Sequence, residues 1–342
     1  MTDSTAIAHD LPAHPAAFPR IRPLRVVIPG GAGHLGRIVA GYLHAKGDAV
    51  TVLSRSGTVA PWHVVSWDGA NLDDWTRELK DADVVINLAG RSVNCRYNAG
   101  NRREILESRI RSTELLGEAI RNLRRPPRLW INASTATIYR HSLDREMDEA
   151  TGELGGHEPG APASWNFSIE VATRWEQSLF AAKTPQTRKI ALRSAMVMSA
   201  ERGGTFDLLL RLVRCGLGGA CGSGKQFMSW VHEEDFVRAL DYLVEHEELE
   251  GPINVASPHP LPNEEFLRTL RKAWGTRIGL PASEWMLEIG ALFLRTETEL
   301  ILKSRRVVPG LLQSSGFEFR FPEWRGAAEE LVRRWRRQAH GA

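Results

Sequence analysis

The chain is 342 residues long, with 42% hydrophobic and 25% charged residues, a composition typical of folded globular proteins. This composition excludes a wholly disordered chain, a collagen and a coiled coil. Because a single hydrophobic core seldom grows beyond about 250–300 residues, we expect two closely associated lobes. The net charge of +3 is too small to favour a nucleic acid or a membrane as a partner.

The three cysteines form no Cys-x-x-Cys pair and are odd in number, which argues against a disulfide framework and against a zinc site. No segment approaches the roughly 20 apolar residues that span a bilayer, and the N-terminus lacks the pattern of a secretory signal. We therefore expect a cytoplasmic protein with reduced thiols and no metal site. Residues 1–23, rich in Ala, Pro and His, are expected to form a flexible arm.

From Leu24 onward, short apolar runs alternate with amphipathic segments of helical length. The first run, Leu24–Ile28, precedes a glycine-rich turn and a segment with apolar residues at helical spacing. Further strands are predicted at Ala49–Leu53, His63–Trp67, Asp83–Leu88, Arg128–Ala133 and Lys189–Arg193, and a long helix at Asn101–Leu123. This alternation predicts an α/β fold with a Rossmann-type, doubly wound parallel sheet covered on both faces.

The regular alternation ends after Ser194. We predict that residues 24–200 form the Rossmann domain and that the chain returns to it at about residues 226–256. Residues 201–225 and 257–342 are predicted to form a smaller C-terminal substrate lobe. The last predicted element is an amphipathic helix, roughly Glu323 to Arg337, with four arginines near its end. Because the helix dipole favours basic residues there, we interpret them as a solvated face and not as a nucleic-acid patch.

The turn after the first strand has its glycines in the spacing G-x-x-G-x-x-G. Positions without a side chain let the backbone approach a pyrophosphate, and the helix N-terminus offers it free N–H groups and partial positive charge. We therefore predict a dinucleotide site formed by Gly30, Gly31, Gly33, His34, Leu35 and Gly36. The alternative is a glycine-rich turn that binds no ligand.

The end of the second strand bears on which dinucleotide is bound. An NAD site usually has an acidic residue about 20 positions after the glycines, where it binds the ribose 2′-hydroxyl. This strand ends instead in Ser54-Arg55-Ser56, and a guanidinium with hydroxyls suits a 2′-phosphate. Ser54 and Arg55 therefore predict NADP in preference to NAD. The alternative is that Arg55 is an ordinary surface residue.

At these residues the chain resembles the short-chain dehydrogenase/reductase superfamily, in its extended branch. Asp68 follows the third strand at the position where the family's acid meets the adenine amino group. The segment Asn87-Leu88-Ala89-Gly90 resembles the one that lines the cofactor after the fourth strand. The resemblance implies that Asp68, Leu88, Ala89 and Gly90 bind the cofactor.

A more specific resemblance, over about residues 24 to 335, is to epimerase-family proteins that carry a C-terminal domain of unknown function. Four stretches carry it: Arg96-Tyr97 through Ser108-Arg109 to Thr113, Gly222–Gln226 into Ser229–His232, Asn254 to Pro258, and Arg306–Pro309 through Gly316–Phe319. In the last of them, Phe317, Phe319 and Phe321 alternate with charged residues, which predicts a strand with one buried face. We interpret Gly222–Lys225 as a turn bordering the substrate cleft.

The superfamily's chemistry implies a Tyr that moves a proton, a Lys four residues later, and a Ser or Thr that polarises the substrate oxygen. We interpret the single Tyr-x-x-x-Lys, Tyr42 to Lys46, as structural, because Tyr42 lies on the apolar face of the first helix and Lys46 at its end. Where the resemblance places the pair, the chain has Phe167 and Val171. A ring without a hydroxyl cannot move a proton, so the standard proton relay is absent.

The hydroxyl of the family's triad is better preserved. The segment from Ser134 to Tyr139 resembles the family's, which implies that Thr135 or Ser134 lies near the nicotinamide. The alternative is a turn hydroxyl that bonds its own backbone. Because Ala136 and Thr137 stand where sugar-nucleotide dehydratases of the branch have Asp-Glu, epimerisation or reduction is favoured over dehydration.

A replacement proton donor is sought among Tyr139, Tyr97, Cys95, Glu170 and His232. We predict Tyr139, because the resemblance puts it beside the cleft, although no Lys is placed to tune its pKa. The run from His232 to Asp235 is interpreted as the acidic first turn of a helix and not as a catalytic pair.

Two functions remain open. The favoured one is an NADP(H)-dependent oxidoreductase or epimerase that acts on a small carbonyl or hydroxyl compound, such as a nucleotide sugar. The other is a binding protein that senses NADP(H) and has lost turnover, as Phe167 and Val171 suggest. In either case we expect a small-molecule ligand, no nucleic-acid or membrane partner, and a monomer or homodimer.

Overall fold

A computed structural model describes residues 22–57, 59–156, 158, 162–283 and 299–340 of the chain. The predicted flexible arm therefore lies almost wholly outside the described residues. The first half of the chain contains the strands β1 (Arg25–Pro29), β2 (Ala49–Ser54), β3 (His63–Ser66), β4 (Val84–Asn87), β5 (Leu129–Thr135) and β6 (Arg188–Ser194). Its helices are α1 (His34–Ala45), α2 (Ala99–Arg121) and α3 (Asn166–Ala181), with 3-10 turns at Asp74–Leu79, Ala136–Ile138 and Ala163–Trp165.

The second half is less regular, as predicted. Its strands are β7 (Met196–Met198), β8 (Phe227–Met228), β9 (Trp230–His232), β10 (Gly251–Val255) and β11 (Leu261–Pro262). All of them are short except β10, which lies in the main sheet. The helices are α4 (Thr205–Arg214), α5 (Glu233–Glu245), α6 (Asn263–Trp274), α7 (Glu299–Leu302), α8 (Gly310–Ser314) and α9 (Trp324–His340).

Seven strands form one sheet in the order β10-β6-β5-β4-β1-β2-β3, and every neighbouring pair is parallel. The order of the strands reverses between β1 and β4, and ligands of open α/β sheets bind outside the carboxyl ends of the strands at such a switch point. The predicted Rossmann-type α/β fold is confirmed. The carboxyl edge at β1 and β4 is therefore where a ligand site is expected.

Both faces of the sheet are apolar, because successive residues of a strand point to opposite sides. Val26 and Ile28 pack with α1 and α5 on one face, whereas Val27 packs with α2 and α3 on the other. The same alternation recurs in β4 and β5. Burying each such side chain contributes roughly 1.5–3 kcal/mol to folding, and the sheet edge is thereby held rigid for the loops that follow it.

A separate hydrophobic cluster joins α4, α6 and α9 in the C-terminal half. Trp324 of α9 stacks on Phe266 of α6 with ring centroids 3.9 Å apart and meets Trp230 edge-on at 4.9 Å. Meanwhile β10 lies in the main sheet beside β6. The residue boundaries of the two lobes stay a prediction.

One predicted strand is absent. Phe317 is buried and its neighbours Glu318 and Arg320 are exposed, yet residues 317–321 form no strand. The backbone N–H groups of Arg320 and Phe321 instead donate to the buried carboxylate of Asp235, at 2.7 and 2.8 Å. The alternating pattern thus predicted correctly which face is buried. The predicted strand is wrong, because the backbone bonds the Asp235 side chain and not a neighbouring strand.

Candidate functional site

The glycine loop between β1 and α1 has a backbone that requires glycine. Gly30 has a φ of +78°, and a Cβ placed on it would lie 2.7 Å from the backbone of Ala89. A Cβ on Gly36 would lie 2.5 Å from the backbone of Gly31. Such distances exclude any side chain. The loop is therefore pressed against both helix α1 and the segment that follows β4.

Gly33 differs from these two glycines, because a Cβ there would meet one atom only, the Gly30 carbonyl oxygen at 3.4 Å. Gly33 is the N-cap of α1, no side chain caps the helix, and its first turn has no acidic residue. An uncapped helix N-terminus with an open approach attracts anions through its free N–H groups and its dipole. The arrangement suits a pyrophosphate.

His34 joins the glycine loop to the segment after β7. Its Nδ1 lies 3.8 Å from Glu201 Oε2, and its Nε2 is buried against Gly204. Burial lowers the pKa of His34 below its ordinary value, so the ring is neutral at pH 7. The half-buried imidazole thus packs the second half of the chain onto the loop without adding charge there.

The end of β2 lies beside the glycine loop, since Gly30 N donates to Leu53 O at 2.9 Å. The next residue, Ser54, is buried and bonded to Ser56, whereas Arg55 is exposed. Among the described residues Arg55 forms no ion pair, which leaves its guanidinium available to an anion. Ser54 and Arg55 are therefore close to the predicted dinucleotide loop.

Asp68 lies after β3 and holds a tight turn. The backbone N–H of Ala70 donates to its carboxylate at 2.7 Å, and this bond, with that of the Asn71 side chain, lowers the pKa of Asp68. The carboxylate is exposed and ionised at neutral pH. It can accept a further hydrogen bond, such as one from an amino group.

The segment after β4 completes this side of the edge. Leu88 N donates to Pro29 O at 2.9 Å, and Ala89 N donates to Asn87 Oδ1 at 3.1 Å. Asn87 is fully buried and bonds Asn132 of β5 at 2.7 Å. The structure thus brings Leu88, Ala89 and Gly90 together with the glycine loop at the switch point.

The two predicted hydroxyls at the end of β5 have different surroundings. Ser134 Oγ is buried and donates to Glu176 Oε1 at 2.6 Å. Thr135 is half-buried, and its Oγ1 accepts from Thr137 N at 3.2 Å as it caps the following 3-10 turn. Only Thr135 is both partly exposed and at the sheet edge. Its bond to Thr137 is also the turn contact that the alternative interpretation described.

Tyr139 is turned into the core. Its side chain is 2% exposed, its hydroxyl donates to Asn254 Oδ1 at 3.0 Å, and Arg193 Nη1 donates to it at 2.9 Å. Burial raises the pKa of this phenol despite the nearby guanidinium. Arg193 also forms a bidentate pair with Glu176, at 2.8 Å for both bonds. Tyr139 is thus part of a buried structural network, which argues against the predicted role as proton donor.

The places of the family's Tyr and Lys are filled by apolar side chains. Phe167 and Val171 of α3 are buried and pack with Ile105 of α2 and with the loop that precedes it. The ring of Tyr97, on that loop, meets Phe167 edge-on with centroids 5.1 Å apart. The phenol ring of Tyr97 therefore lies beside Phe167, at the position where the family has its tyrosine.

A buried cationic pair near Thr137 was missed by the sequence analysis. Lys303 Nζ donates to Thr137 O at 2.9 Å, and Arg305 Nε donates to Thr137 Oγ1 at 3.1 Å. Burial, followed by the charge of Arg305, lowers the pKa of Lys303 to about 8. Glu299 accepts a bond of 2.6 Å from Ser168 of α3. The sequence signal was the spacing of Glu299 and Lys303, i and i+4, within an apolar run.

Two other motifs are structural, as interpreted from the sequence. Tyr42 is buried on α1, and Lys46 is the C-cap of that helix and pairs with Asp241 of α5. His232 is the N-cap of α5 through its Nδ1, and its Nε2 lies 3.0 Å from Glu330 Oε2. These two predictions are confirmed.

Within the described part of the chain, no three His, Cys, Asp or Glu residues are grouped so that they could hold a metal ion. No described helix combines the length and the hydropathy needed to cross a bilayer.

Comparison with known proteins agrees with this geometry. Residues 26–256 match the NAD dependent epimerase/dehydratase family, and residues 282–331 match a domain of unknown function, DUF1731. The human epimerase family protein SDR39U1 is 31% identical over 314 residues, which are 90% of this chain and 100% of the human protein. The epimerase family protein SERP0438 of Staphylococcus epidermidis is 28% identical, over 90% of this chain and 99% of that protein.

Solved structures give the same result. The crystal structure of human SDR39U1 (isoform 2) with NADPH matches with a TM-score of 0.79 and 30% identity, over 91% of this chain and 99% of that one. A nucleoside-diphosphate sugar epimerase of Corynebacterium glutamicum matches with a TM-score of 0.69 and 28% identity, over 91% of this chain and 59% of that one. The chain therefore belongs to the NAD dependent epimerase/dehydratase family and carries the C-terminal domain DUF1731.

Proposed function

We propose that the chain binds NADPH at the carboxyl edge of β1, β2 and β4 and acts as an oxidoreductase or epimerase on a small carbonyl or hydroxyl compound. The observation that carries the proposal is the contrast among three glycines. Gly30 and Gly36 are closed off by backbone, whereas a Cβ on Gly33, at an uncapped helix N-terminus, would meet only the Gly30 carbonyl oxygen at 3.4 Å. That is the shape a pyrophosphate needs.

The surrounding residues fit the rest of the cofactor. Arg55, with Ser54 beside it, would hold the 2′-phosphate, because a guanidinium makes charge-assisted hydrogen bonds with phosphate oxygens. Asp68 would accept from the adenine amino group, and the segment from Leu88 to Gly90 would line the ribose side. Human SDR39U1, with 30% identity, was crystallised with NADPH, which supports NADPH over NADH.

The chemistry would take place at the end of β5. A bound dihydronicotinamide would supply hydride. Thr135 would donate its hydroxyl to the substrate oxygen, because Thr135 is half-buried at the sheet edge whereas Ser134 is buried and bonded to Glu176. In doing so Thr135 would exchange its bond to Thr137 Oγ1, at 3.1 Å, for one to the substrate. Lys303 and Arg305 bond the carbonyl and the hydroxyl of Thr137 and so fix the position of the residue to which the Thr135 hydroxyl donates.

A second function, the sensing of NADPH without turnover, is favoured by Phe167. This ring is buried where the family's proton donor would stand, and the phenol of Tyr139 is bonded inside the core. The two functions share the cofactor site and differ only in catalysis.

Thermal unfolding of the whole protein with NADPH, with NADH and with neither tests the proposal. A ligand present at 100 times its Kd stabilises the native state by about 2.7 kcal/mol, so NADPH is expected to raise the melting temperature by several degrees and NADH by less. Absence of any shift would contradict the proposal. NADPH oxidation against a panel of carbonyl compounds and nucleotide sugars then separates the two functions, since stabilisation without oxidation indicates the sensor.

Replacing Arg55 tests the preference for NADP. Arg55→Asp is expected to weaken NADPH binding at least about tenfold, because charge-assisted bonds contribute roughly 1.5–3 kcal/mol, and to affect NADH much less. Lys80→Asp is the matched control, since Lys80 is exposed and precedes β4 at the opposite edge of the sheet. Equal NADPH affinity in the Arg55 and Lys80 variants, measured by calorimetry, would refute the role of Arg55.

We further propose a cytoplasmic, monomeric or homodimeric protein whose partner is a small molecule. The three free cysteines are consistent with a reducing compartment. Burial raises the pKa of Cys221 to about 11, which keeps this thiol protonated and unreactive.

A further inference from the structure

Arg37 lies on α1, one helical turn after the glycine at which the helix begins. Its backbone N–H donates to the carbonyl oxygen of Gly33 at 2.9 Å. Helix residues four positions apart share a face, and their side chains lean towards the N-terminus of the helix. The side chain of Arg37 therefore runs back along α1 towards the glycine loop.

A hydrogen bond fixes the guanidinium of Arg37 at that loop. Its Nη1 donates to the carbonyl oxygen of Ala32 at 3.0 Å, and Ala32 directly precedes Gly33. This bond uses one of the five N–H groups that a guanidinium offers. Arg37 is exposed, and within the described ranges no carboxylate forms an ion pair with it. Its other N–H groups are therefore available to an anion.

The position of this charge opposes the dipole of α1. The N-terminus of a helix carries partial positive charge, so a cation is unfavourable there and an anion is favourable. The first turn of α1 has no acidic residue and no side-chain cap, and Arg37 brings a full positive charge to the same end. A bound anion such as a phosphate would stabilise this accumulation of positive charge.

One carboxylate lies close to this end of α1. Glu201 Oε2 is 3.8 Å from Nδ1 of His34, and burial lowers the pKa of His34, which is neutral at pH 7. A neutral ring does not offset the charge of Glu201, which would repel a phosphate at the loop. Arg37 provides the opposite charge at the loop itself, because its guanidinium is bonded to Ala32.

The space at Gly33 gives a phosphate room beside this guanidinium. A Cβ on Gly33 would meet only the carbonyl oxygen of Gly30, at 3.4 Å, and Arg37 follows on the same face of the helix. A guanidinium can give two parallel N–H groups to phosphate oxygens. The loop backbone, the helix N-terminus and Arg37 thus border the same open space.

We propose that Arg37 is a second phosphate-binding guanidinium of the dinucleotide site, in addition to Arg55. This assignment rests on the proposed binding of NADPH. Arg55 follows β2, whereas Arg37 lies on α1 and is bonded to the loop that precedes this helix. The ligand of Arg37 is a phosphate group of the dinucleotide, and a comparison of NADPH with NADH distinguishes the pyrophosphate from the 2′-phosphate.

Calorimetric titration of the whole protein tests this assignment without any substrate. Arg37→Gln is expected to weaken NADPH binding about tenfold, because a charge-assisted bond is lost, and Arg37→Lys is expected to weaken it less. The matched control is Arg124→Gln, which replaces an exposed arginine beyond the end of α2 and should change the affinity less than about twofold. An equal loss for NADH places Arg37 at the pyrophosphate, whereas a loss for NADPH alone places it at the 2′-phosphate.

Thermal unfolding of the ligand-free variant separates phosphate binding from a structural role in the loop. Removal of a cation from the N-terminal end of α1 is expected to leave the melting temperature of Arg37→Gln unchanged or to raise it by up to about 2 °C. A lower melting temperature together with weaker NADPH binding would indicate that Arg37 only holds the loop through Ala32, and would overturn the proposal. Unchanged NADPH affinity in Arg37→Gln would also overturn it. Failure of NADPH to bind the wild-type protein would instead refute the proposed function.

Discussion

The cofactor half and the reaction half of the candidate site are built from different parts of the chain. At β1 and β4 the site consists of backbone, because Gly30 and Gly36 leave no room for side chains. At β5 and β6 it consists of charged and polar side chains from distant segments, with Glu176 on α3, Arg193 on β6 and Lys303 near the C-terminus. The shape of a site made of backbone depends on a few glycines, whereas in a site made of side chains single residues can be substituted.

This difference explains which family features persist. The chain retains the glycine spacing, and any side chain at Gly30 or Gly36 would overlap the backbone. The Tyr-Lys pair is absent, and at its positions Phe167 and Val171 pack into an apolar cluster, while other cations lie near Thr137. Loss of that pair therefore does not by itself mean loss of the site.

The largest expected effect concerns the reaction half. Glu176→Gln leaves the buried Arg193 without its bidentate partner, and breaking a buried ion pair typically costs about 3–5 kcal/mol. Glu170→Gln on the same helix breaks an exposed pair with Arg174 and is expected to cost less than about 0.5 kcal/mol. Urea unfolding of both variants measures the difference. A loss under about 1 kcal/mol in Glu176→Gln would mean that the network does not hold this half together.

The next effect separates two glycines in the cofactor half. Gly30→Ala is expected to cost about 2–4 kcal/mol, from its positive φ and the overlap with Ala89. Gly33→Ala is expected to change stability by less than about 1 kcal/mol, because its Cβ meets one atom only at 3.4 Å, yet to weaken NADPH binding. Thermal unfolding with and without NADPH distinguishes these outcomes. Undiminished NADPH binding by Gly33→Ala would contradict the pyrophosphate site.

The smallest effect is the pH dependence due to Lys303, whose pKa is lowered to about 8 by burial and by Arg305. Between this value and about 10.5 the unfolded chain binds a proton that the folded protein does not, so stability rises with pH in that window. Below pH 8 the folded protein bears the whole cost of the buried charge. The free energy of unfolding of Lys303→Met is therefore expected to exceed that of the wild type by about 1–3 kcal/mol at pH 7, and most of this difference is expected to disappear near pH 10.

Unfolding in urea at both pH values measures this difference, with exposed Lys80→Met as the control. A gain that does not depend on pH would show that Lys303 is not a strained buried cation. Its contribution would then be one of packing alone.

The sequence allowed the sheet and the cofactor half to be predicted because both depend on local pattern. Glycine spacing and apolar runs specify the turn after β1, and the six strands of the first half were predicted within two residues of their observed ends. The reaction half could not be predicted in the same way. The spacing of Glu299 and Lys303 is a signal within the C-terminal segment only, and it does not indicate a bond to Thr137, from which Lys303 and Arg305 are separated by 166 and 168 positions.

Tyr139 illustrates the same limit. Its place in the Ser134–Tyr139 segment suggested a cleft position, but the 3-10 turn at Ala136–Ile138 directs its ring inward to Arg193 and Asn254. The direction of the Tyr139 side chain therefore depends on a turn of three residues. The strand predicted at Phe317–Phe321 failed for a related reason, because the carboxylate of Asp235 satisfies its backbone.

The bond from Lys303 to the Thr137 carbonyl links the possible evolution of two portions of the chain. Lys303, within the residues matched by DUF1731, bonds a turn of the portion matched by the epimerase/dehydratase family, so exchanging either portion for that of a distant relative is expected to disturb the other. In chimeras joined near residue 282, the bonds to Thr137 are therefore expected to be disturbed even when both parent proteins fold. A change at Thr137 or at Lys303 therefore requires a compatible residue in the other of the two matched portions.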